Sequence, residues 1–310
     1  MKYIQFVNSV LRNKIQKEKN LVLYGQNINA ASCLSGLTRG LGDVNNGLTI
    51  NTPNSENTLV GIGFGLMLSG TSSIFFMKQM DFLLLGLDQL VNTYNIIRQN
   101  EPKASFTIFP ITVDSGYEGP QSALNNLNDF CSIAGVAGYS FTNKRDTEQI
   151  ISNYLLQPGF RIMSPSQRLL REDLLDIEVI NQDKDCCYFQ YEKGKDVSIV
   201  CFNYSLPYGV ILTEELSKKN INSSLFSVNS YLEFDYSYII NDLQNTRNLI
   251  LIDDTKSRNS SSDKFLKNIY NYCELDKKII INRKFSEDLF FPRHDQLEIV
   301  YQSVVKKFCS

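Results

Sequence analysis

The sequence predicts an α/β protein made of two doubly wound domains, each with a mainly parallel sheet. Short apolar runs typical of buried strands alternate with segments whose apolar residues recur at helical spacing. A charged, irregular stretch over residues 172–196 interrupts this alternation, which then starts again. We therefore expect two domains, residues 1–182 and 183–310.

The first domain opens with apolar residues at helical spacing, which predict a helix over 2–17. The strand Leu-Val-Leu-Tyr follows and ends at Gly25-Gln26, without the glycine-rich fingerprint of a dinucleotide site. Residues 27–47 are polar, with a possible helix over 34–41. Further helices are expected over 59–69, 124–134 and 147–156, and strands over 73–77, 106–113, 137–141 and 160–163.

The second domain repeats the same alternation after the charged stretch. Strands are expected over 197–202, 224–228, 248–254 and 278–282, and helices over 208–218, 236–243, 264–272 and 296–307. Because each strand is followed by a helix, the strands are expected to run mainly parallel.

Composition narrows the classes of function. The chain has 310 residues and a formal net charge of -2, so bulk charge suggests neither a nucleic-acid nor a membrane partner. We find no secretory signal and no apolar run of the ~18 residues that a membrane span needs. Seven irregularly spaced cysteines indicate a reduced, cytoplasmic protein. The single histidine, His294, excludes multi-histidine metal sites, and we interpret it as an exposed turn residue rather than part of a Ser-His-Asp triad.

The stretch from Asn51 to Asn92 combines residue types that can hold a flat heterocycle. Glu56 lies between a Pro-Asn-Ser turn and an apolar helix, and Phe82 lies one strand further on, again where a helix begins. A carboxyl group can hydrogen-bond a ring nitrogen while an aromatic side chain stacks on the ring. The helix also carries three glycines, which indicate either close packing or the approach of a ligand; they are Gly61, Gly63 and Gly65.

The order of these motifs resembles the beta subunit of the heterotetrameric 2-oxoacid dehydrogenase decarboxylating component. More distantly, it is similar to the C-terminal half of transketolase. The resemblance covers nearly the whole chain. It rests on Leu-Val-Leu-Tyr-Gly-Gln-Asn, Thr-Pro-Asn-Ser-Glu with its small-residue helix, Met-Asp-Phe followed by Leu-Asp-Gln-Leu-Val-Asn, and Gly-Lys-Asp-Val-Ser-Ile-Val. Asp88-Gln89 favours the dehydrogenase subunits over transketolase.

The resemblance implies a thiamine diphosphate site shared between two chains, with this chain on the pyrimidine side. By this likeness Glu56 hydrogen-bonds the aminopyrimidine ring and Phe82 stacks on it. A carboxyl group that shares its proton with the ring nitrogen favours the imino form of the cofactor's exocyclic amine. The cofactor itself carries out the difficult chemical step. The simpler alternatives are that Glu56 only stabilises its helix and that Phe82 is core packing.

Two positions depart from the family pattern. The loop after the third strand usually carries a histidine, but here it reads Gly-Pro-Gln-Ser, so that Gln121 can hydrogen-bond but cannot transfer protons. Gln26 replaces the acidic residue expected after the first glycine. We keep both glutamines as candidate cofactor-binding residues. Both replacements are also compatible with a divergent enzyme that transfers an acyl or a two-carbon unit.

The Gly-Asp-Gly motif that holds Mg²⁺ and diphosphate in the family is absent from the sequence. The resemblance therefore implies no metal ligands on this chain and a partner alpha-type chain that supplies them, in an α₂β₂-like assembly. The substrate would be a 2-oxo acid or a ketose. Three alternatives stay open: a transketolase-like ketol transferase subunit, a catalytically degenerate structural subunit, and an unrelated pair of flavodoxin-like binding domains.

Overall fold

The computed structural model describes residues 1–115, 125, 127–231, 234–283, 297 and 299–309. The chain divides into two compact units, Met1–Asp176 and Ile177–Ser310. The boundary predicted after residue 182 falls a few residues inside the second unit.

The first unit contains a six-stranded sheet in which all strand pairs are parallel within the described residues. The spatial order is β2-β1-β3-β4-β6-β5. The strands are β1 (Val22–Gly25), β2 (Leu48–Asn51), β3 (Ser73–Met77), β4 (Ser105–Pro110), β5 (Ala137–Ser140) and β6 (Gly159–Ser164). Every residue of β3 and β4 is buried, as expected for central strands covered on both faces.

Helices connect these strands. They are α1 (Tyr3–Ile15), α2 (Leu41–Val44), α3 (Glu56–Leu68), α4 (Tyr94–Ile97), α5 (Leu127–Ala134) and α6 (Lys144–Tyr154). A 3₁₀ helix, Met80–Gly86, follows β3, and a π-helical turn, Gln89–Thr93, leads into α4. A capping box marks the start of α6: the Asn143 side chain accepts the backbone N–H of Asp146, and the Asp146 carboxylate accepts the backbone N–H of Asn143.

The second unit contains another six-stranded sheet, in the order β12-β11-β9-β10-β8-β7 within the described residues. The strands are β7 (Asn181–Gln182), β8 (Tyr188–Glu192), β9 (Val197–Phe202), β10 (Ser223–Val228), β11 (Asn248–Asp253) and β12 (Lys277–Ile281). Four of them are parallel, whereas β8 runs antiparallel to both of its neighbours. The helices are α7 (Leu206–Ser217), α8 (Ser237–Thr246), α9 (Asp263–Tyr272) and α10 (Tyr301–Cys309).

The predicted fold class is confirmed by these two sheets with their connecting helices. Three strands were not predicted. The short strand β2 lies inside the segment interpreted as polar, and the two-residue strand β7 and the buried strand β8 lie inside the stretch interpreted as charged and irregular. The possible helix over 34–41 is wrong as a continuous helix, because Ser35 has a left-handed backbone and only Leu34–Gly36 and the start of α2 are helical.

Strand β2 lies at the outer edge of the first sheet and pairs only with β1 within the described residues. Its alternate residues Leu48 and Ile50 are 56% and 41% exposed. No helix in the described part of the chain is long and apolar enough to cross a membrane.

Candidate functional site

The carboxyl ends of three adjacent strands carry the candidate residues of the first unit. Gln26 follows β1, Glu56 follows β2, and Phe82 follows β3. Because β2, β1 and β3 are adjacent and parallel, these three side chains reach the same edge of the sheet. All three line one small pocket, which Asn54 and Lys78 also line.

Glu56 is the first residue of α3 and is half-buried. At this position the free backbone N–H groups of the helix favour a negative charge by about 0.3–1 kcal/mol. The next residue, Asn57, accepts a hydrogen bond from Gln89 Nε2 at 3.0 Å, and Gln89 Oε1 accepts one from Thr93 Oγ1 at 2.5 Å. Gln89, one residue of the Asp-Gln pair on which the resemblance partly rests, therefore holds the first turn of α3 in place.

A second contact, between β1 and α3, fixes the same turn. Tyr24, the third residue of β1, donates its hydroxyl to the Leu59 carbonyl at 2.9 Å, and its ring stacks on Phe75 at 5.1 Å. Burial raises the pKa of Tyr24 above its ordinary value, so that the hydroxyl stays protonated and remains a donor. Sequence reasoning missed this residue, because its role depends on a contact between residues 35 positions apart.

The turn after β1 requires glycine. Gly25 has a φ of +147°, and a Cβ atom there would lie 2.1 Å from the Phe76 carbonyl oxygen. The backbone of β1 therefore passes close to β3 just before Gln26, and Gln26 and Phe82 both line the pocket.

The three glycines of α3 have different surroundings. A Cβ on Gly63 would lie 2.2 Å from the Phe106 ring, which indicates close packing of the helix on β4. A Cβ on Gly61 would touch the Gln89 side chain at 3.4 Å, and nothing lies within 4 Å of one on Gly65. None of the three meets the pocket, so the packing interpretation applies to Gly63, and Gly65 lies on an open surface.

The residues that line the pocket suit one ring of a heterocyclic cofactor. Glu56 offers a carboxyl group, Phe82 an aromatic face, and Gln26 and Asn54 offer amides that can donate and accept hydrogen bonds. The pocket encloses only about 10 Å³, which is room for roughly one water molecule. The donor set therefore suits a pyrimidine ring, but the space that the described residues enclose is too small to hold one.

Two candidates cannot be placed. Gln121 and His294 lie outside the described residues, so the predicted roles of this glutamine and this histidine stay predictions. Within the described part of the chain, no group of three histidine, cysteine or acidic side chains could hold a metal ion. Lys78 and Asn54 line the pocket although sequence reasoning did not select them. Their positions, directly after β3 and two residues before Glu56, are the only signal that could have found them.

Burial suppresses the nucleophilic character of three cysteines. All seven are free thiols, and burial raises the pKa of Cys201 and of Cys187 to about 12. Burial also raises the pKa of Cys131. A thiolate is the reactive form of cysteine, so these three side chains are inert at neutral pH.

Comparisons with known proteins were made by sequence and by structure. No protein-family model matches the chain. It is 24% identical over 267 residues to "Pyruvate dehydrogenase E1 component subunit beta, mitochondrial" of Dictyostelium discoideum, covering 80% of this chain and 72% of that protein. It is 20% identical over 316 residues to "2-oxoisovalerate dehydrogenase subunit beta" of Bacillus subtilis, covering 93% and 90%. The predicted resemblance to such beta subunits is confirmed by these homologues.

Two transketolases are among the solved structures that share this fold. A split-gene transketolase, solved as an inactive beta4 tetramer, superposes with a TM-score of 0.70 at 11% identity, covering 98% of this chain and 96% of that one. Transketolase from Campylobacter jejuni superposes with a TM-score of 0.69 at 13% identity, and this chain spans 44% of its length. At these identities the likeness shows the two-domain α/β fold alone.

Proposed function

We propose that this chain is the beta-type subunit of a two-chain, thiamine diphosphate-dependent enzyme that decarboxylates a 2-oxo acid or transfers a two-carbon or acyl unit. One observation carries the proposal: Glu56, Phe82 and Gln26 line a single pocket at the carboxyl edge of the first sheet. The sequence likeness to beta subunits of 2-oxoacid dehydrogenases supports it independently.

In this proposal each side chain has a defined task. When bound, thiamine diphosphate supplies a carbon nucleophile for the substrate carbonyl. The Glu56 carboxyl holds a proton at the pyrimidine ring nitrogen, Phe82 stacks on the ring face, and Gln26 hydrogen-bonds the ring edge. Tyr24 and Gln89 keep the first turn of α3 fixed, so that the carboxyl group stays within reach of the ring.

A partner chain is part of the proposal, because the pocket alone is too small and too open. Covering Glu56 would remove it from water, which favours the protonated carboxyl that the proposed proton sharing needs. Apolar side chains on α3 and on the segment after β3 are exposed and suit such a contact; they are Ile62, Leu68, Leu84, Leu85 and Ile96. We propose an alpha-type partner that also supplies the ligands for Mg²⁺, in an α₂β₂-like tetramer.

We also propose a cytoplasmic location. The seven free thiols support this, since disulfides form in oxidising compartments.

The test is Glu56→Gln in the complex of this chain with its co-purified partner. The substitution keeps the size and hydrogen-bonding capacity of the side chain but removes the acidic proton. We expect cofactor-dependent turnover to fall about 10²- to 10⁴-fold, the usual contribution of a positioned acid or base. Pyruvate, branched 2-oxo acids and ketose phosphates are the substrates to screen.

The matched control is Glu101→Gln. Glu101 is exposed and precedes β4, so it lies at the opposite edge of the sheet from the pocket. Full activity of Glu56→Gln would remove Glu56 from the mechanism. Turnover of ketose phosphates alone would favour the transketolase-like alternative. A stable wild-type complex without any turnover would favour a structural subunit, the alternative that Gln121 in place of the family's histidine supports.

A further inference from the structure

Lys78 is the one positively charged residue among those that line the candidate pocket in the described part of the chain. It comes directly after β3, whose last two residues, Phe76 and Met77, also line the pocket. Its side chain is exposed. It therefore stands at the open mouth of the pocket, where a molecule bound beside Glu56 and Phe82 would extend.

The Lys78 ammonium has no carboxylate partner among the described residues, and Glu56 in the same pocket is not within 4.0 Å of it. Other lysines of this chain do pair: Lys144 lies 2.7 Å from Asp176 and Lys218 lies 2.5 Å from Glu215. The positive charge of Lys78 is thus available to a bound anion, whereas Glu56 is available to the cofactor ring.

We propose that Lys78 binds the anionic group of the substrate and so selects anionic substrates. This inference rests on the function proposed above. A lysine ammonium is a compact point charge that suits a carboxylate or a phosphate. The carboxylate of a 2-oxo acid and the phosphate of a sugar phosphate share this chemistry. Covering of the pocket by a partner chain would lower the local dielectric and strengthen the pairing.

The expected kinetic effect follows from where the charge lies. In this proposal Lys78 holds the anionic group of the substrate and takes no part in proton transfer at the cofactor ring. Its loss should therefore weaken substrate binding, raise KM and leave kcat little changed. The affinity for thiamine diphosphate should not change, because Glu56 and Phe82 remain. This pattern separates Lys78 from a residue that merely supports the fold.

The experiment compares Lys78→Gln, Lys78→Arg and Lys103→Gln with the wild type, each in complex with the partner chain. Lys103 is exposed and precedes β4 at the opposite edge of the sheet, so it is the matched control. We expect Lys78→Gln to raise KM about 10- to 100-fold, the range for loss of a hydrogen bond to a charged group. Lys78→Arg should restore most of the affinity, and Lys103→Gln should behave as the wild type.

Calorimetric titration with pyruvate and, separately, ribose 5-phosphate identifies the anionic group without needing turnover. Binding of one of them that is lost in Lys78→Gln and kept in Lys103→Gln supports the inference and names the group. The inference is wrong if Lys78→Gln binds both anions as tightly as the wild type does. It is also wrong if neither protein binds either anion. If the wild-type complex turns over no substrate but its anion binding still depends on Lys78, the proposed function fails while the anion site stands.

Discussion

Replacing Gly63 by alanine tests how closely α3 packs on β4. A Cβ atom at this position would lie 2.2 Å from two atoms of the Phe106 ring and 2.6 Å from a third. Ordinary contacts of a Cβ begin near 3.4 Å, so the ring would have to move by more than about 1 Å. It has little room, because Phe106 is fully buried with its ring centroid 5.1 Å from those of Phe64 and Phe160.

The magnitude follows from two opposing terms. Overpacking of this severity costs up to about 3 kcal/mol. Alanine gains about 1 kcal/mol over glycine in a helix interior. We therefore expect Gly63→Ala to lower the free energy of unfolding by about 2 kcal/mol. Gly65→Ala is the matched control, because the same helix leaves open space there and only the gain of about 1 kcal/mol applies.

The assay is urea unfolding followed by far-ultraviolet circular dichroism, since the chain contains no tryptophan. The unfolding free energy of each variant is compared with that of the wild type under identical conditions. A difference of about 3 kcal/mol between the two alanine variants is expected. If Gly63→Ala proves as stable as Gly65→Ala, the inferred contact between α3 and the Phe106 ring is wrong.

Three further predictions concern the support of the pocket and the cysteines. Tyr24→Phe removes the hydroxyl that donates to the Leu59 carbonyl, so the unfolding free energy should fall by about 0.5–1.5 kcal/mol; unchanged stability in denaturant would contradict the role of this hydrogen bond. Burial raises the pKa of the Cys201 thiol from its ordinary value of 9.0 to about 12. Between these two pH values the folded state keeps the thiol proton, whereas the unfolded chain releases it. Stability should therefore fall as the pH rises from 9 towards 12. Mass spectrometry after brief thiol labelling at pH 8 should find exposed Cys309 modified and Cys201 protected, and rapid labelling of Cys201 in the folded chain would refute its burial.

The convergence of the pocket residues could be anticipated in part from the sequence. Glu56 stands out because it follows a Pro-Asn-Ser turn, and Phe82 because it follows a predicted strand; each lies where a helical segment begins, which is a purely local pattern. What the pattern could not supply was the order of strands. Gln26 joins the other two only because β1 lies between β2 and β3, and β2 itself was not predicted.

Strand β8 shows why part of the second unit escaped prediction. Tyr188–Glu192 is flanked by charged residues, so its composition suggested a linker. Its burial comes from antiparallel pairing with β10, more than thirty residues away in the chain. Such a pairing is a tertiary interaction and leaves no periodic signal in a five-residue segment.

Lys78 was missed for a related reason. An exposed lysine after a strand is common, and nothing in its neighbours along the chain distinguishes it. Only the shared pocket and the absence of a carboxylate partner among the described residues mark it. The roles of Tyr24 and Lys78 depend on residues that are distant in the sequence but close in space. Such roles can be recognised only from coordinates.

The outermost strand of the first sheet has a practical consequence. The β2 rim offers backbone groups with no strand beside them in the described chain, together with the uncovered side chains of Leu48 and Ile50. Rims of this kind can pair with strands from other molecules, which makes β2 a site for self-association of the polypeptide. Synthesis of this chain in the same cell as the proposed partner chain, followed by joint purification, is therefore the better route to the measurements on the complex described above.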